Sequence, residues 1–205
     1  KISKNDSAYY PLLVSKSYHL LQIEKYEEAL NVANEGLDHS HKHSKANYYV
    51  NKGVALTNLK RDNEAIENYL KGIQIYPKNY LLWSNKASVL ERQGKLNAAI
   101  DAYKTAITLN PFYKKPHVQI GNIYYKQERL TQALMCFNMF LLLEPDTNGA
   151  FTTLQSLNNV VQSKNPNKRD LNIKLDDEDD SFEDLDLVLS SKVAMNKNYK
   201  TGNPI

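Results

Sequence analysis

A repeat of 34 residues is the feature of this sequence that most constrains its fold. Small, aromatic and proline residues recur at matching positions in three successive stretches. The three sets are Gly53, Ala65, Tyr69, Gly72 and Pro77, then Ala87, Ala99, Tyr103, Ala106 and Pro111, then Gly121, Ala133, Phe137, Phe140 and Pro145. Such a strict period predicts an array of similar units, 46–79, 80–113 and 114–147, in which each unit buries its apolar face against the next.

Each unit is predicted to contain two amphipathic helices, because its apolar residues recur every three to four positions in two stretches. In the second unit we expect these helices at about 81–93 and 96–109, with Gly94 in the turn between them. The proline that closes each unit ends its second helix, because a proline ring clashes with a continuing helix. The sequence therefore predicts an all-α chain.

The recurring small and aromatic residues resemble the tetratricopeptide repeat family over residues 46–147. The resemblance implies a right-handed superhelical array of antiparallel helix pairs, with a concave surface that receives a peptide or a helix of another protein. The sequence departs from the family pattern at four positions. These are Ala87 in place of glycine, Lys52 and Lys86 in place of leucine, and Phe140 in place of a small residue.

The residues on either side of the three units carry weaker patterns. The stretch Tyr26–Leu30 resembles the start of a second helix, which predicts a degenerate unit at 8–45 with Pro11 in its first turn. After Pro145, an apolar face predicts a helix at 148–163 that caps the last unit, formed by Phe151, Leu154, Leu157, Val160 and Val161. From Lys164 the pattern ends, and we predict a disordered acidic tail at 164–205.

Composition and motifs favour a non-catalytic role without a cofactor. The sequence contains no glycine-rich phosphate loop, no zinc-binding cysteine pair and no transmembrane stretch. Its one cysteine, Cys136, is consistent with a reducing compartment, and we expect a cytoplasmic location. The formal net charge of +3 is too small to indicate nucleic-acid binding. Because the sequence begins at Lys1, it can also be read as a fragment of a longer protein.

Three histidines, His39, His41 and His43, lie within five residues and form a weak candidate for a metal site. They fall in a polar connection beside Lys42 and Ser44. A solvated linker is therefore the preferred interpretation, and we predict no metal site elsewhere.

The resemblance places a peptide-binding groove on the first helix of each unit. The residues that it assigns to this groove are Asn47, Val50, Asn51, Val54 and Asn58, then Leu81, Ser84, Asn85, Ser88 and Arg92, then Lys115, Val118, Gln119, Asn122 and Lys126. The degenerate unit adds Val14, Tyr18 and Gln22.

Two features of this set bear on the ligand. Asn51, Asn85 and Gln119 form a row in register, and a carboxamide can pair with the peptide bond of an extended chain. Asparagine is nevertheless frequent at this family position without a known ligand, so both interpretations stay open. Some family members hold a chaperone's C-terminal carboxylate with five polar residues. Here only Asn85 and Lys115 match, so a co-chaperone role is not favoured.

The segment Asp176–Asp186 holds eight acidic residues and no basic one. It is read either as a solubilising tail or as a docking motif, for an outside partner or for the basic repeats of the same chain. Ser181 is a hypothetical phosphorylation site because Asp184 follows it by three residues. Taken together, the sequence favours a scaffold or adaptor that binds a protein ligand. The alternatives are a structural subunit of a larger complex and the regulatory part of an enzyme.

Overall fold

The computed structural model of the protein describes residues 9–39, 45–145 and 147–162. These residues form nine α-helices and no strand. The helices are α1 (Tyr9–Gln22), α2 (Tyr26–His39), α3 (Ala46–Asn58), α4 (Asp62–Ile75), α5 (Tyr80–Arg92), α6 (Leu96–Leu109), α7 (Lys114–Lys126), α8 (Leu130–Leu143) and α9 (Asn148–Gln162). Within the described ranges, no helix is both long enough and apolar enough to cross a membrane.

The chain forms two compact units, Lys1–Pro116 and His117–Ile205. In the first unit, each of the helices α1 to α6 packs against the next, and α3 also packs against α1 and α5. In the second unit, α8 packs against α9. The border between the units lies inside α7.

Three-residue turns join the helices of each pair. One residue of each turn has a positive φ, namely Glu24 at 62°, Lys60 at 62°, Gly94 at 75° and Glu128 at 60°. The next backbone N–H donates to a carbonyl five residues earlier, at 2.9 to 3.0 Å in all four turns. This is the Schellman arrangement, which satisfies carbonyls at a helix end and reverses the chain, so the two helices run antiparallel.

The recurring aromatic residues fill the space beside the recurring small ones. Tyr69, Tyr103 and Phe137 are fully buried, and each belongs to the second helix of its pair. A Cβ atom on Gly53 would lie 2.2 Å from the Tyr69 ring, and one on Gly121 would lie 2.6 Å from Phe137. The small residues therefore allow an aromatic ring to pack against the first helix.

The helix α9 packs differently from the predicted cap. Thr147 begins it by accepting a hydrogen bond from the Ala150 N–H at 3.3 Å. Its buried residues include Ala150, Thr153 and Val160, whereas Phe151 and Leu154 are exposed. The prediction that Phe151 and Leu154 cover the last unit is therefore wrong, because α9 turns the neighbouring face, Ala150 and Thr153, inward.

Candidate functional site

The first compact unit contains an open groove of about 1160 Å³. The helices α1, α3 and α5 supply most of its lining, and Tyr113 and Lys115 complete it. All of the lining helices are first helices of their pairs. They present side chains to one side because residues three and four positions apart share a helix face.

The groove surface is largely apolar along α1 and α3. Val14 and Tyr18 of α1 line it together with Val50 and Val54 of α3, and Leu81 of α5 adds a further apolar side chain. Tyr18 is 57% exposed although it lies beside these residues. An exposed aromatic ring in an apolar concavity provides contact area that a ligand can bury.

Asn51 is held inside the protein. Its side chain is buried, and its Nδ2 donates to the Val14 carbonyl at 3.2 Å and to Ser17 Oγ at 2.7 Å. Both amide hydrogens are therefore used to join α3 to α1. Among the described residues, none donates to Asn51 Oδ1, so a ligand could use this side chain only as an acceptor.

Asn85 occupies the same repeat position one unit later and is placed differently. Its side chain is half-buried on the groove surface, and it forms no hydrogen bond within the described part of the chain. Both its donor and its acceptor are available, which is the arrangement needed to pair with a peptide bond.

Two residues assigned to the groove by the sequence do not line it. Arg92 forms an ion pair with Asp62 at the start of α4, and its Nε lies 3.0 Å from Asp62 Oδ2. Ser88 is half-buried outside the groove lining, and Ser84 is fully buried. The ion pair draws the Arg92 side chain toward the second helix of the preceding pair.

The remaining members of the predicted set belong to the second compact unit. There, Val118, Gln119 and Asn122 are half-buried on α7, and Lys126 is exposed at the end of that helix. The groove assignments of these four residues stay predictions.

The charges that line the groove within the described residues are basic. Lys16 and Lys115 contribute ammonium groups, His19 lies near them in the lining, and no lining residue is acidic. Burial lowers the pKa of Lys115, and the nearby Glu91 carboxylate partly opposes this shift. An anionic ligand would favour the charged form of Lys115, because an opposite charge stabilises the ammonium.

Sequence reasoning missed several lining residues. Leu12, Lys16, His19, Tyr26 and Tyr113 all line the groove. Tyr113 lies just before α7, and its ring packs edge-on against Tyr80 at 4.8 Å between centroids. The 34-residue spacing of Tyr113 from Asn79, which caps α5, marks a repeat position that could have been considered.

The histidine cluster and the acidic segment lie largely outside the described residues. His39 is the last residue of α2, and His41 and His43 fall in the gap that follows. Within the described ranges, no group of three or more histidine, cysteine, aspartate or glutamate residues could hold a metal ion. Ser181 and the tail 164–205 also lie outside the described residues.

Sequence profiles identify the architecture around this groove. Two profiles described as tetratricopeptide repeat match residues 46–79 and 68–101, and one described as TPR repeat matches 92–128. The chain is a tetratricopeptide repeat protein. This result confirms the family resemblance and the all-α class that were predicted from the 34-residue period.

Three similar proteins place these tetratricopeptide repeats in context. RNA polymerase II-associated protein 3 of Mus musculus is 33% identical over 102 residues, which are 50% of this chain and 16% of the mouse protein. The first TPR of Spaghetti (RPAP3), solved with the HSP90 peptide SRMEEVD, is 28% identical with a TM-score of 0.54 and covers 58% of this chain and 94% of its own. MamA of Desulfovibrio magneticus RS-1 shares the fold at 17% identity, with a TM-score of 0.62 over 92% of this chain and 97% of its own.

Proposed function

We propose that this chain is a non-catalytic adaptor that binds a peptide or helix of a partner protein in the groove between α1, α3 and α5. The observation that carries the proposal is the open groove itself, with an apolar surface and the unpaired carboxamide of Asn85. The peptide-bound structure of a relative supports peptide recognition by this family of repeats. The single cysteine favours a reducing intracellular compartment for this activity.

The groove chemistry favours a ligand that buries apolar side chains. Val50 and Val54 occupy positions where a carboxylate-binding relative would carry polar groups, and both line the groove here. Two valines cannot bind a carboxylate, whereas they can contact an aliphatic or aromatic side chain. Asn85 would then pair with the ligand backbone, and Lys115 would favour an acidic residue beside the apolar one.

Selection of peptides from a random display library against the whole chain tests this proposal. We expect the selected peptides to bind at least about fivefold more weakly to the double variant Tyr18→Ala/Asn85→Ala, because it removes an exposed ring and the free carboxamide. The matched control is Asn97→Ala, an asparagine exposed on α6, which should leave binding unchanged.

The same measurement separates the candidate ligands. The peptide SRMEEVD should bind more weakly than the selected apolar peptides if the two valines decide specificity. If no peptide is enriched, or if the enriched peptides bind both variants alike, the groove is not the binding site. A structural subunit, the alternative function, would then account better for the helical array.

The electrostatic contact between the acidic segment 176–186 and the basic repeats stays a prediction. It would compete with an acidic ligand for Lys16 and Lys115, and it would weaken as salt increases.

A further inference from the structure

The helix α9 exposes two large apolar side chains at positions that the preceding unit buries. Phe151 and Leu154 lie 34 residues after His117 and Ile120 of α7. His117 and Ile120 are 7% and 3% exposed, whereas Phe151 is 65% and Leu154 is 46% exposed. The helix α9 therefore has the register of a first helix whose outer face lacks its cover.

The residues that follow α9 in repeat register do not resemble a second helix of this family. Counting 34 residues on from α8 gives residues 164–177, which include Pro166. Asn167 and Lys174 stand where α8 carries the buried Ala133 and Phe140. A helix at 164–177 would bring polar and charged groups to the apolar face of α9, which is unfavourable.

A suitable apolar pattern occurs a few residues later. Phe182, Leu185 and Leu189 are spaced so that they would share one face of a helix, and the acidic residues between them would lie on the other faces. The segment 182–189 is thus amphipathic with helical spacing.

The connection to this segment is long enough for it to reach α9. Nineteen residues, 163–181, separate α9 from Phe182. A flexible chain of this length spans roughly 25 Å on average, close to the approximately 22 Å length of a 15-residue helix. An intramolecular partner at this distance has an effective concentration on the order of millimolar, which a second copy of the chain does not reach in dilute solution.

The surface of α9 also accepts an acidic partner without repulsion. The helix contains no charged residue, and its exposed polar neighbours include Gln155, Asn158 and Asn159. The carboxylates of the segment 182–189 would therefore meet amides and solvent.

We propose that residues 182–189 dock on the face of α9 formed by Phe151 and Leu154, in the place of the second helix that a fourth repeat would supply. The contact caps the array from within the chain and shields two apolar side chains that otherwise favour association with other molecules.

Hydrogen exchange measured by mass spectrometry on the whole chain tests this docking. We expect the amides of 182–189 to exchange at least about tenfold more slowly than those of a synthetic peptide covering 176–192. The variant Phe151→Ser/Leu154→Ser should return this exchange to the rate of the free peptide. The matched control Met135→Ser/Leu142→Ser changes two exposed apolar residues of α8 and should retain the protection.

A second variant keeps the test independent of folding in the repeats. Phe182→Ser/Leu185→Ser alters only the tail, and it should speed exchange in α9 while leaving α3 to α6 unchanged. Equal rates in the chain and the free peptide would overturn the proposal, as would protection that survives Phe151→Ser/Leu154→Ser. Protection that depends on protein concentration would assign the face to a second copy, and protection lost in about 0.5 M NaCl would assign it to charge; either result would overturn the proposal.

Discussion

Asn51 and Asn85 show how two identical residues at one repeat position acquire different tasks. Asn51 is buried and joins α3 to α1 through its hydrogen bonds to Val14 and Ser17. Asn85 is half-buried on the groove surface and has no such bond within the described residues. The first asparagine therefore supports the groove, and the second is free to contact a ligand.

This difference predicts unequal effects of the same substitution on stability. We expect Asn51→Ala to lower the free energy of unfolding by about 1–3 kcal/mol, because it leaves a buried hydroxyl and a carbonyl without their donor. Asn85→Ala should change it by less than about 0.5 kcal/mol. Urea unfolding followed by circular dichroism measures both, and equal losses would contradict the structural role of Asn51.

The sequence predicts the shared position of these residues but not their difference. The 34-residue period aligns Asn51 with Asn85, since both belong to units that follow it strictly. The partners of Asn51 lie in α1, whose unit is offset by two extra residues and has lost the family pattern. A hydrogen bond to Ser17 depends on that local geometry, which the spacing of the good units does not contain.

At the scale of helices, the turn within each pair is a conserved backbone form with variable chemistry. The positive-φ position holds Gly94 in one unit and Glu24, Lys60 or Glu128 in the others. A side chain in this region brings Cβ close to the following carbonyl, at a cost of roughly 1–2 kcal/mol. Glycine avoids that cost, although it loses more backbone entropy on folding.

Exchanging the turn residues should therefore shift stability in opposite directions. We expect Lys60→Gly to raise the free energy of unfolding by about 0.5–1 kcal/mol and Gly94→Ala to lower it by about 1 kcal/mol. No atom lies within 4 Å of a Cβ built on Gly94, so steric contact does not confuse the comparison. Urea unfolding checks both, with Lys60→Ala as the control that keeps the strain; if Lys60→Gly is no more stable than this control, the strain is absent.

Helix positions follow from the sequence more closely than helix faces do. The expected 96–109 helix is α6, and the expected 81–93 helix differs from α5 by one residue at each end. The face of α9 was predicted wrongly because Phe151 and Leu154 are apolar and share a side with Leu157. Periodicity reports which residues could be buried together, while the packing of α9 against α8 decides which are buried.

At the scale of the whole chain, neighbouring helices dominate the packing of the first compact unit. Its helices contact the next helix and the next-but-one, as expected for a repeat array. A short-period pattern therefore predicts most of this architecture, because few distant contacts are needed. The division of the chain inside α7 has no counterpart in the 34-residue period.

Buried tyrosines give the chain a defined response to alkaline pH. Tyr48 is fully buried, and its hydroxyl donates to the Tyr10 carbonyl, which links α3 to α1. Burial raises the pKa of Tyr48 to about 12, and the neighbouring Tyr10, Glu35 and Tyr9 add to this shift. Burial also raises the pKa of Tyr69 and of Tyr103.

The sign of the effect follows from proton binding in the two states. Between the unfolded pKa near 10 and the folded pKa near 12, the unfolded state has lost the Tyr48 proton and the folded state keeps it. Stability is therefore complete below pH of about 10 and falls as pH rises toward 12, by up to about 1.4 kcal/mol per pH unit for each such tyrosine. The half-buried lysines act oppositely, because burial lowers the pKa of Lys52, Lys86 and Lys115, so stability rises with pH in their range.

Urea unfolding at several pH values between about 9 and 12 separates these contributions. The variant Tyr48→Phe loses the hydrogen bond to Tyr10 at every pH, so its stability should be lower at neutral pH. Its decline above pH of about 10 should be shallower than that of the wild type by up to one proton, because phenylalanine cannot ionise. Tyr18→Phe serves as the control, since Tyr18 is 57% exposed and its loss should not alter the slope. Parallel slopes for the wild type and Tyr48→Phe would show that the Tyr48 hydroxyl titrates alike in both states, and the link between α1 and α3 would then not exclude water.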